Sequence, residues 1–365
     1  MRQRLFPVMI ALGLAAAPIP ALAAPPASAP AMVAETDWLR LPENLRMGDV
    51  SAVAVDSRDS VWILHRPGTL AEADRPRAAP PVVRFDRDGR YLGGFGGPGA
   101  GYEWPTVEHS LTVDRRGNVW ISGNFRGEGK PADDMVLEFR GEGRFVKQIG
   151  RRGASTGDRD TANLHAPADI FVDDAAGEVY IADGYGNRRI IVFDRGSGAF
   201  KRMWSAFGAP PPLEAAPAVR PEGAAVSPET GEGPPGFNGV HGVEIARDGL
   251  VYVADRNNHR IQLFTRRGKY LRQLFVDRDL PSAQTASGIA FSPDRNQRYM
   301  YVSDWGNGRL LIYDRMKLEL LHSLGGKGTA PGQFLGPHLI ATDSRGVLYV
   351  AEVQGRRVQR FTLRR

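Results

Sequence analysis

Residues 239–255 read GVHGVEIARDGLVYVAD, and this stretch decides the fold. A short apolar run, VHGVEI, leads into a glycine-bearing turn, ARDG, and then into a second run, LVYVAD. These are strand and turn signals with no helical period between them. The pattern recurs along the chain at a spacing of roughly 40–50 residues, the mark of a propeller. The copies begin SAVAVDSRDSVWILHR (from Ser51), HSLTVDRRGNVWIS (from His109), ADIFVDDAAGEVYIAD (from Ala168), HGVEIARDGLVYVAD (from His241), SGIAFSPDRNQRYMYVSD (from Ser287) and HLIATDSRGVLYVAE (from His338). Each continues with a third run such as RIQLF, and the first five add an outer run such as YLGGFG, making four short strands. The expected fold is an all-β, six-bladed β-propeller.

The segments ADGYGNRRI, ADRNNHRI and SDWGNGRL resemble NHL-type repeats, and the resemblance covers essentially all of the chain after residue 36. The sixth copy stops after its third strand. Residues 37–41, DWLRL, are expected to supply the missing outer strand and close the ring from the N-terminal side, which removes an open sheet edge. Two insertions, 67–81 and 206–236, read as surface loops; the second is rich in Pro, Ala, Glu and Gly.

The N-terminus reads as a secretory signal peptide over residues 1–23. A basic MRQR precedes the apolar LFPVMIALGLAAA and the small-residue site Ala21-Leu22-Ala23. The apolar run is shorter than the roughly 20 residues a membrane span needs. Residues 24–36 are expected to be a flexible linker and residues 37–365 the propeller. An exported protein, periplasmic or secreted and without stable membrane insertion, is the expectation. The chain has no cysteine, so disulfides, thiol nucleophiles and thiolate metal sites are excluded. The net charge of +6 is modest and its Lys and Arg are dispersed, which argues against a nucleic-acid partner.

The residues at the head of the six inner strands are Ser51, His109, Ala168, His241, Ser287 and His338. Histidine occupies every second blade, in a chain with only seven histidines. Alternate blades of a six-bladed ring are related by about 120°, so three side chains at one level of the channel converge on the axis. Three neutral imidazoles with an open fourth position describe a catalytic zinc site. His65, assigned to a loop at the end of a strand, and His165, His259 and His322 fall outside this register and are expected to pack or to face solvent. The loops after the second strands return to the same end of the channel and carry Arg66, Tyr185, Arg256 and Trp305. Arginines near a metal suit a carboxylate-bearing substrate, and a tyrosine beside cations can serve as a base.

At these residues the sequence resembles the peptidyl-α-hydroxyglycine α-amidating lyase family, a group of six-bladed propellers with zinc held by three histidines. The family's histidine motifs correspond to EHSLTVD, VHGVEI and PHLI, which implies His109, His241 and His338 as metal ligands. Its catalytic-tyrosine segment is similar to YIADGYGNRRI, placing that role on Tyr185, and its active-site arginine segments are similar to VADRNNHRIQ and ILHRP, placing those roles on Arg256 and Arg66. The implied reaction cleaves a C-terminal α-hydroxyglycine, on a peptide or a small N-acyl substrate, into an amide and glyoxylate. The family also holds a channel calcium with an aspartate after the third histidine. Leu339 stands there in this chain, so a calcium would rest on inner-strand carbonyls alone and bind more weakly. The competing reading is a non-catalytic NHL propeller that binds a peptide, glycan or protein on its top face. A propeller hydrolase or lactonase is disfavoured, because none of the six head positions is a carboxylate.

Overall fold

A computed structural model describes residues 31–213, 231–278 and 284–363. The expected signal peptide, the first part of the expected linker and residues 214–230 of the second insertion lie outside them.

Six four-stranded antiparallel sheets are arranged as the blades of a propeller. Blade 1 contains Asp49–Val55, Val61–Arg66, Val82–Phe85 and Tyr91–Phe95, in order from the axis outward. The inner strands of the next four blades are Glu108–Val113, Asp169–Asp173, Val240–Ile245 and Ile289–Phe291, and Pro337–Thr342 opens the sixth. The core is a set of seams rather than one central cluster. Tyr252, Ile261 and Leu263 of blade 4 meet Phe291, Met300 and Leu311 of blade 5, and each neighbouring pair of blades is joined by its own buried cluster. A middle strand is therefore covered on both faces. This explains why segments such as VWIL and IIVF read as continuous apolar runs instead of alternating.

The ring is closed from the N-terminal side, but not by the expected residues. Met32–Glu35 pairs antiparallel with Arg357–Leu363, matching Met32 to Leu363 and Glu35 to Arg360. The closing strand therefore lies inside the stretch expected to be a linker, and DWLRL is not a strand of blade 6. The physical reason lies in side-chain demand. MVAE alternates, so Met32 and Ala34 pack on the cluster between blades 5 and 6. Trp38 is instead sunk into the seam between blades 6 and 1, where Nε1 donates to the Val358 carbonyl at 2.8 Å and the ring lies 5.3 Å from Tyr349.

The first insertion is ordered. It forms two 3-10 turns, Pro67–Thr69 and Glu72–Arg77, held by buried Leu70 and Ala79. His65 belongs to the strand Val61–Arg66 rather than to a loop, and it is fully buried. There Gly48 N–H donates to Nδ1 at 3.1 Å, and Nε2 donates to the Pro80 carbonyl at 3.0 Å.

A chain beginning at residue 37 should show a thermal midpoint several degrees below one beginning at residue 31, by calorimetry. Trp38→Ala should cost about 3 kcal/mol or more in urea unfolding. Equal midpoints for the two truncations would show that the closing strand contributes nothing.

Candidate metal centre

The inner strands of blades 2, 4 and 6 each break register at the histidine. Glu108 pairs with Gly123, but the next pair is Ser110 with Ser122, which leaves His109 out of the ladder. His241 is left out between the pairs Val240–Asp255 and Gly242–Ala254. His338 and Leu339 are left out between Pro337–Glu352 and Ile340–Val350. A bulge re-aims the side chain of its extra residue, and here it directs three imidazoles at one another.

Their ring centroids lie 4.7 to 5.1 Å apart, and one ligand nitrogen from each falls within 4.8 Å of the others. All three are buried, none more than 2% exposed. Each Nδ1 faces a carbonyl of the following blade: Ala168 for His109 at 2.8 Å, Ser287 for His241 at 2.7 Å, and Ser51 for His338 at 2.5 Å. A carbonyl only accepts, so each Nδ1 carries the proton and each Nε2 is left with a lone pair. His241 Nε2 and His338 Nε2 lie 3.2 Å apart with no proton to share. Two facing lone pairs repel unless a cation lies between them, so the donor set fits a metal ion. Burial lowers all three pKa values, with neighbouring positive groups adding to the effect. His109 and His241 lie well below the ordinary imidazole range, and His338 is lowered to about 3.

The four loops named from the sequence come to this point. Tyr185 Oη is 3.0 Å from His109 Nε2 and 3.1 Å from His241 Nε2. Arg256 Nη1 donates to the same hydroxyl at 3.3 Å, and its guanidinium lies 5.3 Å from the centre of the Tyr185 ring. Arg66 Nε donates to the carbonyl of Glu108, one residue before His109, at 2.8 Å. The Trp305 ring is 5.5 Å from that of His338.

The repeat motif itself shapes these loops. Asp183, Asp255 and Asp304 each end a second strand, and each accepts from an Asn and an Arg further along its loop. The Asp183–Arg189 and Asp255–Arg260 pairs, at 2.9 and 2.7 Å, are completely buried. Tyr185, Arg256 and Trp305 sit within two residues of these aspartates. Gly184 completes the arrangement: a Cβ there would stand 1.9 Å from the Val240 carbonyl, so only glycine lets the tyrosine loop approach the strand that carries His241.

Sequence reasoning did not find the carbonyl acceptors on Ser51, Ala168 and Ser287, because any residue type carries a carbonyl. It also did not find two carboxyls deeper in the channel, which line a cavity of about 580 Å3. Burial raises the Asp169 pKa to about 7, and burial with Asp169 nearby pushes Glu244 well above the ordinary carboxyl range.

An NHL-repeat profile matches residues 237–264. NHL repeat-containing protein 3 of Mus musculus is 27% identical over 86% of this chain and 79% of its own length. Peptidyl-alpha-hydroxyglycine alpha-amidating lyase 1 of Drosophila melanogaster is 25% identical over 88% of this chain and 58% of its own. Peptidyl-glycine alpha-amidating monooxygenase B of Xenopus laevis is also 25% identical, over 90% of this chain, which spans only 35% of that longer protein. Among solved structures, a streptogramin B lyase superposes with a TM-score of 0.55 over 91% of this chain and 98% of its own, at 12% identity. Virginiamycin B lyase from Staphylococcus aureus gives 0.54 over 92% and 100%, at 14% identity. These two likenesses establish the propeller fold.

The buried histidines of the metal-free chain should disfavour the folded state in acid. His65, lowered to about 4, and the three clustered histidines titrate in the folded state below their ordinary 6.5. As pH falls, the unfolded chain takes up these protons first. Their contribution is therefore complete above about pH 6.5 and shrinks as pH falls, through about 4 for His65 and on to about 3 for His338. The raised carboxyls of Asp169 and Glu244 act in the opposite sense over the same window, so the check is a difference. Urea midpoints of metal-free wild type should fall more steeply with falling pH than those of His109→Gln, and equal slopes would contradict the assignment of neutral imidazoles.

Proposed function

We propose that this chain is a zinc-dependent lyase that splits N-acyl or peptidyl α-hydroxyglycines into an amide and glyoxylate. The observation that carries this reading is the Tyr185 hydroxyl, set between two histidine Nε2 atoms and a guanidinium. The similarity to amidating lyase 1 of Drosophila melanogaster over 88% of this chain supports it. The Nε2 atoms of His109, His241 and His338 would hold the zinc, which when bound supplies Lewis acidity toward a substrate oxygen.

The remaining chemistry falls to the chain's own side chains. Tyr185 takes the proton of the substrate's α-hydroxyl. The C–O bond gains double-bond character as the bond from Cα to the amide nitrogen breaks. The proton passes to that nitrogen, so the products are a neutral amide and glyoxylate and no water is consumed. Arg256 donates to the phenolic oxygen and so fixes its position toward the substrate. Arg66 and Arg256 together recognise the substrate carboxylate, which makes a free C-terminal carboxylate a requirement. Burial of the site strengthens each of these charge interactions. Export by the N-terminal signal would place the reaction outside the cytoplasm.

A second reading has one observation of its own. The chain is also similar to NHL repeat-containing protein 3 of the mouse across most of both lengths. On that reading the histidine face binds a partner, and replacing the histidines leaves binding intact.

Protein purified without chelators should contain about one zinc per chain and release glyoxylate from α-hydroxyhippurate. Tyr185→Phe should keep its zinc and lose about 100-fold or more in kcat. His109→Ala should lose zinc and activity together. Zinc-loaded wild-type protein that forms no glyoxylate would sink the lyase reading.

A further inference from the structure

We infer that Trp305 is the platform that receives the acyl group of the substrate, so that the site selects aromatic and bulky apolar acyl groups over small ones. This rests on the lyase reading and adds the substrate class to it.

The chain has six tryptophans. Five are buried, none more than 8% exposed, and they pack in or beside the seams between blades. Trp305 is half-buried, on the loop after the second strand of blade 5. Part of this ring stays open to solvent 5.5 Å from the ring of His338, where a flat apolar group can stack on it.

Its placement is rigid. Asp304 at the loop's start accepts from Asn307 at 2.9 Å and from Arg309 at 3.0 Å. Gly306 N–H donates to the Gln284 carbonyl at 2.9 Å, and Gly308 N–H to the carbonyl of Trp305 at 3.3 Å. Gly336, two residues before His338, makes room for the indole. Its φ is +66°, and a Cβ there would lie 2.9 Å from the ring edge. A rigid aromatic of this kind loses little entropy when it binds a ligand.

The rim is divided by chemistry. Arg66, Tyr185 and Arg256 occupy blades 1, 3 and 4. Trp305 occupies blade 5, and on blade 6 the N–H of Val353 donates to the carbonyl of Gly336, the glycine that faces the indole. An α-hydroxyglycine carries its carboxylate, hydroxyl and acyl-nitrogen on one carbon. With the carboxylate held by the arginines and the hydroxyl at Tyr185, the acyl arm is left the apolar sector. Trp305, against the His338 ring, is the surface it meets there.

The test compares α-hydroxyhippurate, whose acyl group is benzoyl, with N-acetyl-α-hydroxyglycine on zinc-loaded protein. Wild type should favour the benzoyl substrate in kcat/KM. Trp305→Ala should reduce that preference about tenfold, mainly through KM, with zinc content retained, and Trp305→Phe should restore most of it. Calorimetry with hippurate and N-acetylglycine, which lack the hydroxyl and cannot react, reads the platform without the chemistry. Hippurate binding that depends on Trp305, with no glyoxylate released from either substrate, would keep the platform and overturn the lyase reading. No benzoyl preference in wild type, an equal loss for both substrates or both ligands in Trp305→Ala, or a preference removed instead by Phe125→Ala, at the half-buried aromatic on the equivalent loop of blade 2, would overturn the platform.

Discussion

Three hydrogen bonds between blades organise the centre of this propeller. In each, a histidine Nδ1 on an even-numbered blade donates to the carbonyl at the head of the next blade. All six heads are thereby used, three as imidazoles and three as acceptors. Each bond fixes the tautomer, turns Nε2 toward the axis and ties two neighbouring sheets at the channel. The arrangement requires a closed ring, because Ser51 of blade 1 completes the pair begun by His338 of blade 6. Closure by Met32–Glu35 therefore bears on the histidine cluster as well as on the outer edge of the fold.

The Asp–Asn–Arg pattern of the repeat serves stability and site geometry together. A buried Asp–Arg pair returns little net stability after desolvation, and removing one partner leaves an uncompensated buried charge. What such a pair does supply is shape. Asp183 and Asp255 also accept from backbone N–H groups of the segments leading to the inner strands, His165 and Asn238 respectively. The loop bearing Tyr185 or Arg256 is thus locked to the approach of its own blade's inner strand. The first and second blades lack this motif, the sixth has Glu352 in place of the aspartate, and Arg66 is held by another route, through the Glu108 carbonyl.

Much of this was legible in the chain. Alternation, Asp-Gly turns and a regular repeat specify strands, and strands without helices at that spacing specify a propeller. The histidines could be found because side-chain chemistry at equivalent positions survives alignment of the repeats. Tyr185, Arg256 and Trp305 followed from the rule that a second strand returns to the end where the first began. The closing strand was misread because the seam and the strand edge both accept apolar residues. Trp38 fits the seam better than a sheet edge, and MVAE is too short and mild a pattern to stand out from the Pro- and Ala-rich stretch before it.

The sequence by itself determined the blade repeat, the alternate placement of three histidines and the loop residues that face them, because all of these are statements of residue type at a periodic position. Only the tertiary structure decided that each histidine sits in a bulge and that its Nδ1 proton points to a neighbouring carbonyl. Only there do two Nε2 lone pairs face each other at 3.2 Å. Those features depend on backbone atoms, which every residue carries alike, and on contacts between blades many residues apart in the chain.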